Sequence, residues 1–123
     1  MGKILLIIGA IYHFAFAYYH TTFWKQFDWN TKLKKSGQIN NAITRVMNLC
    51  LIYIFVIIGV MSLLFANDLL MMRLGKFILA AISGFWFIRS VEQIIYFKLE
   101  HPISRALFFV FLAGGIIYLL PIL

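Results

Sequence analysis

Charged side chains are scarce in this sequence. Asp, Glu, Lys and Arg make up 12% of the 123 residues, whereas hydrophobic residues make up 63%. So few charges would not cover the surface of a small soluble globule, but they suffice for the short loops of a bundle whose flanks face lipid. This scarcity excludes an ordinary water-soluble domain and indicates an integral membrane protein.

Metal-ligating and redox-active residues are also few. Cys50 is the single cysteine, so an intrachain disulfide is excluded. No HxxxH, ExxH or CxxC spacing occurs, and a metal site needs several converging ligands. His13 and His20 share one apolar run, so they cannot bind a haem from opposite sides. We therefore expect neither a metal site nor a cofactor.

Acidic residues number only four, against eleven Lys and Arg, and the formal net charge is +7. Such a charge could suggest nucleic acid, but the basic residues are concentrated in or beside one loop between apolar runs. This placement favours anionic lipid head groups, and we expect membrane lipids rather than nucleic acid as partners.

Four apolar runs are present, at about residues 4–24, 46–66, 77–97 and 106–123. Each is close to the roughly 20 residues that a helix needs to cross a bilayer. No segment alternates like a strand of an outer-membrane barrel. The sequence predicts an all-α, polytopic membrane protein with a single transmembrane domain, folded as an antiparallel four-transmembrane-helix bundle.

The first run imitates a secretory signal. Lys3 precedes an apolar stretch, and Ala15-Phe16-Ala17 resembles a cleavage site. Because the apolar run continues to full spanning length, we expect a retained helix.

The distribution of Lys and Arg predicts the orientation. The loops after the first and third runs hold seven of these residues, and the opposite side holds three: Lys25, Lys32, Lys34, Lys35, Arg45, Lys98 and Arg105 against Lys3, Arg73 and Lys76. The positive-inside rule then places the seven in the cytoplasm and both termini outside it. A bacterial inner membrane is the expected location.

Ionisable residues within the runs are candidate functional groups, because they are costly in lipid. Arg89 and Glu92 are one turn apart in the third run, and they could either neutralise each other or form a functional site. Measured along a helix, Glu92 is roughly 8 Å and His20 roughly 6 Å from the inner boundary, so contact between them is geometrically possible. The predicted polar pocket opens toward the cytoplasm and comprises His13, His20, Arg45, Asn48, Arg89, Glu92 and Gln93.

Three functions remain open for such a pocket. The protein could bind or carry a small molecule, a lipid or a proton, with Glu92 or His20 changing protonation. It could be a non-catalytic subunit of a larger membrane complex. It could also be a lipid-modifying enzyme, although no nucleophile motif is present. Ala80 and Gly84, four residues apart, favour close helix packing, within the bundle or in a homo-oligomer.

Overall fold

The chain is helical from end to end. A computed structural model describes the backbone of all 123 residues and the side chains of all except Leu33 and Ser36. Helix accounts for 90% of the described chain, which has no strands. The helices are α1 Gly2–Thr21, α2 Phe23–Gln26, α3 Trp29–Lys32, α4 Gln38–Leu64, α5 Ala66–Met71, α6 Arg73–Glu92 and α7 Pro102–Leu119. A π-helical turn, Gln93–Phe97, continues α6, and 3-10 turns lie at Leu33–Ser36 and Leu120–Ile122.

Four helical segments are long and apolar enough to cross a membrane, which confirms the all-helical fold class and the number of spans by length and composition. They are Gly2–Thr21, Gln38–Leu64, Arg73–Phe97 and Pro102–Ile122. The second begins eight residues before the apolar run predicted from the sequence. A helix does not have to end where its hydrophobic residues end, and the polar first two turns of α4 continue the same hydrogen-bonded ladder.

Local chemistry explains where α1 ends and α4 begins. The hydroxyls of Thr21 and Thr22 donate to the carbonyls of Tyr18 and Tyr19 at 2.5 and 2.6 Å. These bonds give side-chain partners to carbonyls of the last helical turn, where helical N–H donors run out, and the Tyr19 carbonyl also accepts from the Thr22 N–H at 3.1 Å. Gly37 has φ of 96°, a left-handed conformation that suits glycine, and α4 starts at the next residue.

The chain divides into two compact units. The smaller unit is Ala10–Met61, and the larger unit combines Met1–Gly9 with Ser62–Leu123. In the smaller unit, α1 and α4 form an antiparallel pair, because His13 contacts Phe55 whereas His20, further along α1, contacts the earlier Asn48. A side chain at Gly59 would begin 2.6 Å from the Phe14 ring, so these two helices approach closely.

The larger unit is built on α6 and α7. Ser83 donates to the Gly115 carbonyl at 2.7 Å, and Trp86 stacks on Phe111 with ring centroids 5.8 Å apart. Trp86 follows Ser83 along α6, whereas its partner Phe111 precedes Gly115 along α7, so the two helices are antiparallel. Near the end of α7, Tyr118 is fully buried and its hydroxyl lies 2.8 Å from that of Ser62.

Candidate functional site

Asn48 is the most informative polar residue of the smaller unit. Its side chain is only 5% exposed, and its Nδ2 donates to the His20 carbonyl at 3.1 Å. That carbonyl lies in the last turn of α1, where carbonyls lack helical partners, so the bond joins α4 to the end of α1. The Oδ1 atom of Asn48 is buried and has no hydrogen-bond donor among the described residues. A buried amide oxygen without a donor is costly, so this atom is suited to accept a hydrogen bond from a ligand or water.

Aromatic rings surround the two histidines of α1. The Nδ1 atom of His20 donates to the Phe16 carbonyl at 2.9 Å, and its ring centroid lies 4.4 Å from that of Phe23 and 5.2 Å from that of Phe55. His13 is fully buried, with its ring centroid 5.8 Å from that of Phe55. The residue whose carbonyl binds Asn48 is therefore packed among aromatic rings, and a polar ligand group there would depend on the amide oxygen for specificity.

Arg45 is held in a fixed position one turn before Asn48. Its Nε donates to Asn41 Oδ1 at 2.6 Å, a guanidinium N–H donates to Asn30 Oδ1 at 3.1 Å, and the guanidinium carbon lies 4.4 Å from the centre of the Trp24 ring. The hydrogen bonds use the N–H groups at the edge of the planar guanidinium, and the ring contact uses its face. Arg45 therefore links Trp24 and Asn30, in the segment after α1, to the start of α4.

A second buried amide lies in the larger unit. Gln93 is 2% exposed and is the first residue of the π-helical turn. Its Nε2 donates to the Ser104 hydroxyl at 2.8 Å, and that hydroxyl donates to the Lys98 carbonyl. Lys98 has φ of 60°, so the turn ends in a left-handed residue that is not glycine. The Oε1 atom of Gln93 is buried with no donor among the described residues, as is Asn48 Oδ1 in the smaller unit.

The Arg89 and Glu92 pair has two different environments. The Arg89 guanidinium lies 4.5 Å from the centre of the Phe111 ring and 5.5 Å from that of Phe97. Glu92 is exposed on the surface of the chain, whereas the next residue, Gln93, is buried. Glu92 and Gln93, both assigned to the predicted pocket, therefore point in different directions, because successive helical residues point about 100° apart.

Each unit brings together part of the predicted site. His20 and Asn48 meet in the smaller unit, close to Arg45, while Gln93 lies one turn from Arg89 in the larger unit. A pocket that combines all seven residues stays a prediction. Sequence reasoning did not find Ser104, whose hydroxyl is central to the Gln93 network, since one serine near a helix start carries no distinctive pattern.

The sequence also did not predict Asn30 and Asn41 as hydrogen-bond partners of Arg45, although both are polar residues within or beside the basic loop. Among the described side chains, no group of three or more His, Cys, Asp or Glu is arranged to hold a metal ion. Comparison with family models, with curated proteins and with solved structures finds no match for this chain.

Proposed function

We propose that this chain is an integral membrane protein of the bacterial inner membrane whose four long helices form one antiparallel bundle. Between 22% and 33% of each candidate span is buried inside the chain. The remainder presents large apolar side chains, among them Ile11, Tyr53, Phe77 and Phe109, each more than 60% exposed. Surfaces of this kind on four helices favour hydrocarbon as the solvent.

In the proposed orientation, both termini lie outside the cytoplasm. The support is the distribution of Lys and Arg, with seven on the side of the α1–α4 and α6–α7 connections and three on the other.

Within this bundle, we propose a binding site for a small molecule or lipid, centred on Asn48 at the cytoplasmic end. The observation that carries the proposal is the buried Oδ1 atom that lacks a donor. Its ligand would present a hydroxyl or N–H group to this oxygen and an apolar body to the rings of Phe23 and Phe55. We do not assign Arg45 to ligand binding, because its guanidinium is already engaged by Asn41, Asn30 and the Trp24 ring.

Native mass spectrometry tests this site. Protein released from mild detergent should carry a bound small molecule or lipid. Asn48→Leu keeps the branched shape but replaces both the oxygen and the Nδ2 donor with methyl groups, and it should reduce the bound fraction at least about tenfold, because a missing partner leaves the ligand donor unpaired. Ser90→Ala is the matched control, since its buried hydroxyl donates to the Phe87 carbonyl of the same helix at 2.6 Å. Wild-type protein that carries no bound mass, or that loses it equally in both variants, would refute the proposal.

One observation favours a second function, that of a subunit in a homo-oligomer or larger complex. Among the described residues, no atom of a neighbouring element lies within 4 Å of where a side chain at Gly84 would begin. Gly84 is therefore not used for close packing inside the chain, although small residues four apart allow helices of different chains to approach. Cross-linking in native membranes would distinguish this function, because a subunit should give a product of defined higher mass that Gly84→Leu abolishes.

A further inference from the structure

The connection between α1 and α4 carries a concentration of positive charge. Residues 22–37, the basic segment, contain four lysines and a single acidic residue, Asp28. All four lysine side chains are exposed: Lys25, Lys32, Lys34 and Lys35. The segment therefore presents a strongly positive surface at one end of the smaller unit.

Aromatic rings in the same segment form a continuous cluster. The Phe23 ring centroid lies 5.0 Å from that of Phe27 and 6.1 Å from that of Trp29, which in turn lies 6.4 Å from that of Trp24. Trp24 is 36% exposed and Phe27 is 42% exposed. Partly exposed Trp beside Lys is typical of chain that lies at the boundary between hydrocarbon and head groups.

The segment is also fixed in place. Arg45 of α4 stacks on Trp24 and donates to Asn30, so one guanidinium holds two points of the segment. Gly37, with φ of 96°, returns the chain to α4 after the last lysine. A positive surface held against a folded helix loses less conformational entropy on binding than a free tail would.

We infer that the basic segment is a binding surface for anionic phospholipid head groups, with Arg45 as the positioning residue. The lysines would contact lipid phosphates while the tryptophans lie at the top of the acyl chains. This inference rests on the proposed membrane location but is independent of the ligand site at Asn48. Each lysine near an anionic membrane surface contributes up to about a fivefold preference for anionic over neutral lipid. Three lysines therefore give a preference of up to roughly a hundredfold.

Quenching of tryptophan fluorescence by brominated lipids tests the inference, because Trp24 and Trp29 lie within the segment. Full-length protein would be reconstituted in vesicles that contain either brominated phosphatidylglycerol or brominated phosphatidylcholine at equal mole fraction. We expect stronger quenching by phosphatidylglycerol, with the difference reduced at roughly 0.5 M salt by screening. Quenching by neither lipid would refute the membrane location itself, whereas equal quenching by both would refute only the inferred head-group surface.

Charge-matched variants sharpen this test. Lys32→Gln, Lys34→Gln and Lys35→Gln together should abolish the preference for phosphatidylglycerol. Lys3→Gln, Arg73→Gln and Lys76→Gln together remove the same charge from exposed positions of the larger unit and should leave the preference intact. Equal loss in both triple variants would show that net charge, rather than this surface, selects the lipid, and would overturn the inference.

Arg45→Lys tests the positioning role, because it keeps the charge but loses the planar fork. We expect it to weaken the preference for phosphatidylglycerol severalfold, although the total charge is unchanged. An unchanged preference would overturn the role of Arg45. Native mass spectrometry of the same variants, counting retained phosphatidylglycerol against phosphatidylcholine, provides a second readout.

Discussion

Two glycines of α6 allow a direct test of how the larger unit packs. At Gly75, an added methyl group would overlap the α5 main chain at Asp68 and Leu69, with the Leu69 carbonyl oxygen at 2.6 Å. Because main-chain atoms cannot rotate away, α5 and α6 would have to separate. Overpacking of this kind costs about 1–3 kcal/mol, and for contacts with main chain we expect the upper part of that range.

Gly84→Ala is the matched control on the same helix. No atom of a neighbouring element among the described residues lies within 4 Å of the added methyl group, so the gain in helix propensity remains, about 0.5–1 kcal/mol. Gly75 is the third residue of α6, where this gain is smaller. We therefore expect Gly75→Ala to destabilise the fold by about 2 kcal/mol, and the two variants to differ by about 3 kcal/mol.

The assay is reversible unfolding in mixed micelles with increasing sodium dodecyl sulfate, followed by far-ultraviolet circular dichroism. The midpoint for Gly75→Ala should lie well below that of wild type, and the midpoint for Gly84→Ala at or above it. Equal midpoints for the two variants would refute the close approach of α5 to α6. A loss of stability at Gly84 alone would instead indicate that this position packs against another chain.

Three further substitutions test individual contacts. Tyr118→Phe should destabilise the fold by about 1 kcal/mol, and a double-mutant cycle with Ser62→Ala should give a coupling of about 0.6 kcal/mol from their buried hydrogen bond. Ser104→Ala should cost about 2 kcal/mol, because it removes the acceptor for the Gln93 amide, and should speed amide hydrogen exchange in the π-helical turn. Arg45→Lys should cost about 1–2 kcal/mol in micelle unfolding, through loss of its fork and ring contacts.

Each of these results has a contrary outcome. If the stability losses of Tyr118→Phe and Ser62→Ala simply added in the double variant, the two hydroxyls would not interact. Unchanged exchange in Ser104→Ala would show that the serine does not hold the turn. If Arg45→Lys were as stable as wild type, the contacts of Arg45 would not be what holds the basic segment against α4.

The spans were predictable because hydrophobicity acts on whole segments. Twenty consecutive apolar residues have few alternatives to a helix in lipid, so the four runs identified the four long helices. The exact ends were harder to predict. The start of α4 at Gln38 depends on the backbone conformation of Gly37, and the end of α1 depends on the hydroxyls of Thr21 and Thr22.

The site was predictable only in part, because side-chain position depends on how helices pack. The predicted pocket included both Glu92 and Gln93, but only Gln93 is buried, since neighbouring residues on a helix face different directions. The sequence identified Asn48 and His20 as polar residues within apolar runs, whereas the contact between the Asn48 amide and a main-chain carbonyl required coordinates. Main-chain carbonyls carry no sequence signal.

The central claim is that the connections at the two ends of α4 lie on opposite sides of a membrane. Cysteine labelling in a Cys50→Ser background measures this directly, with single cysteines introduced as Asn67→Cys and Lys34→Cys at exposed positions. In intact cells without an outer membrane, a membrane-impermeant maleimide should label Asn67→Cys, and it should label Lys34→Cys only after permeabilisation. Labelling of both positions in intact cells, or of Lys34→Cys alone, would contradict the account.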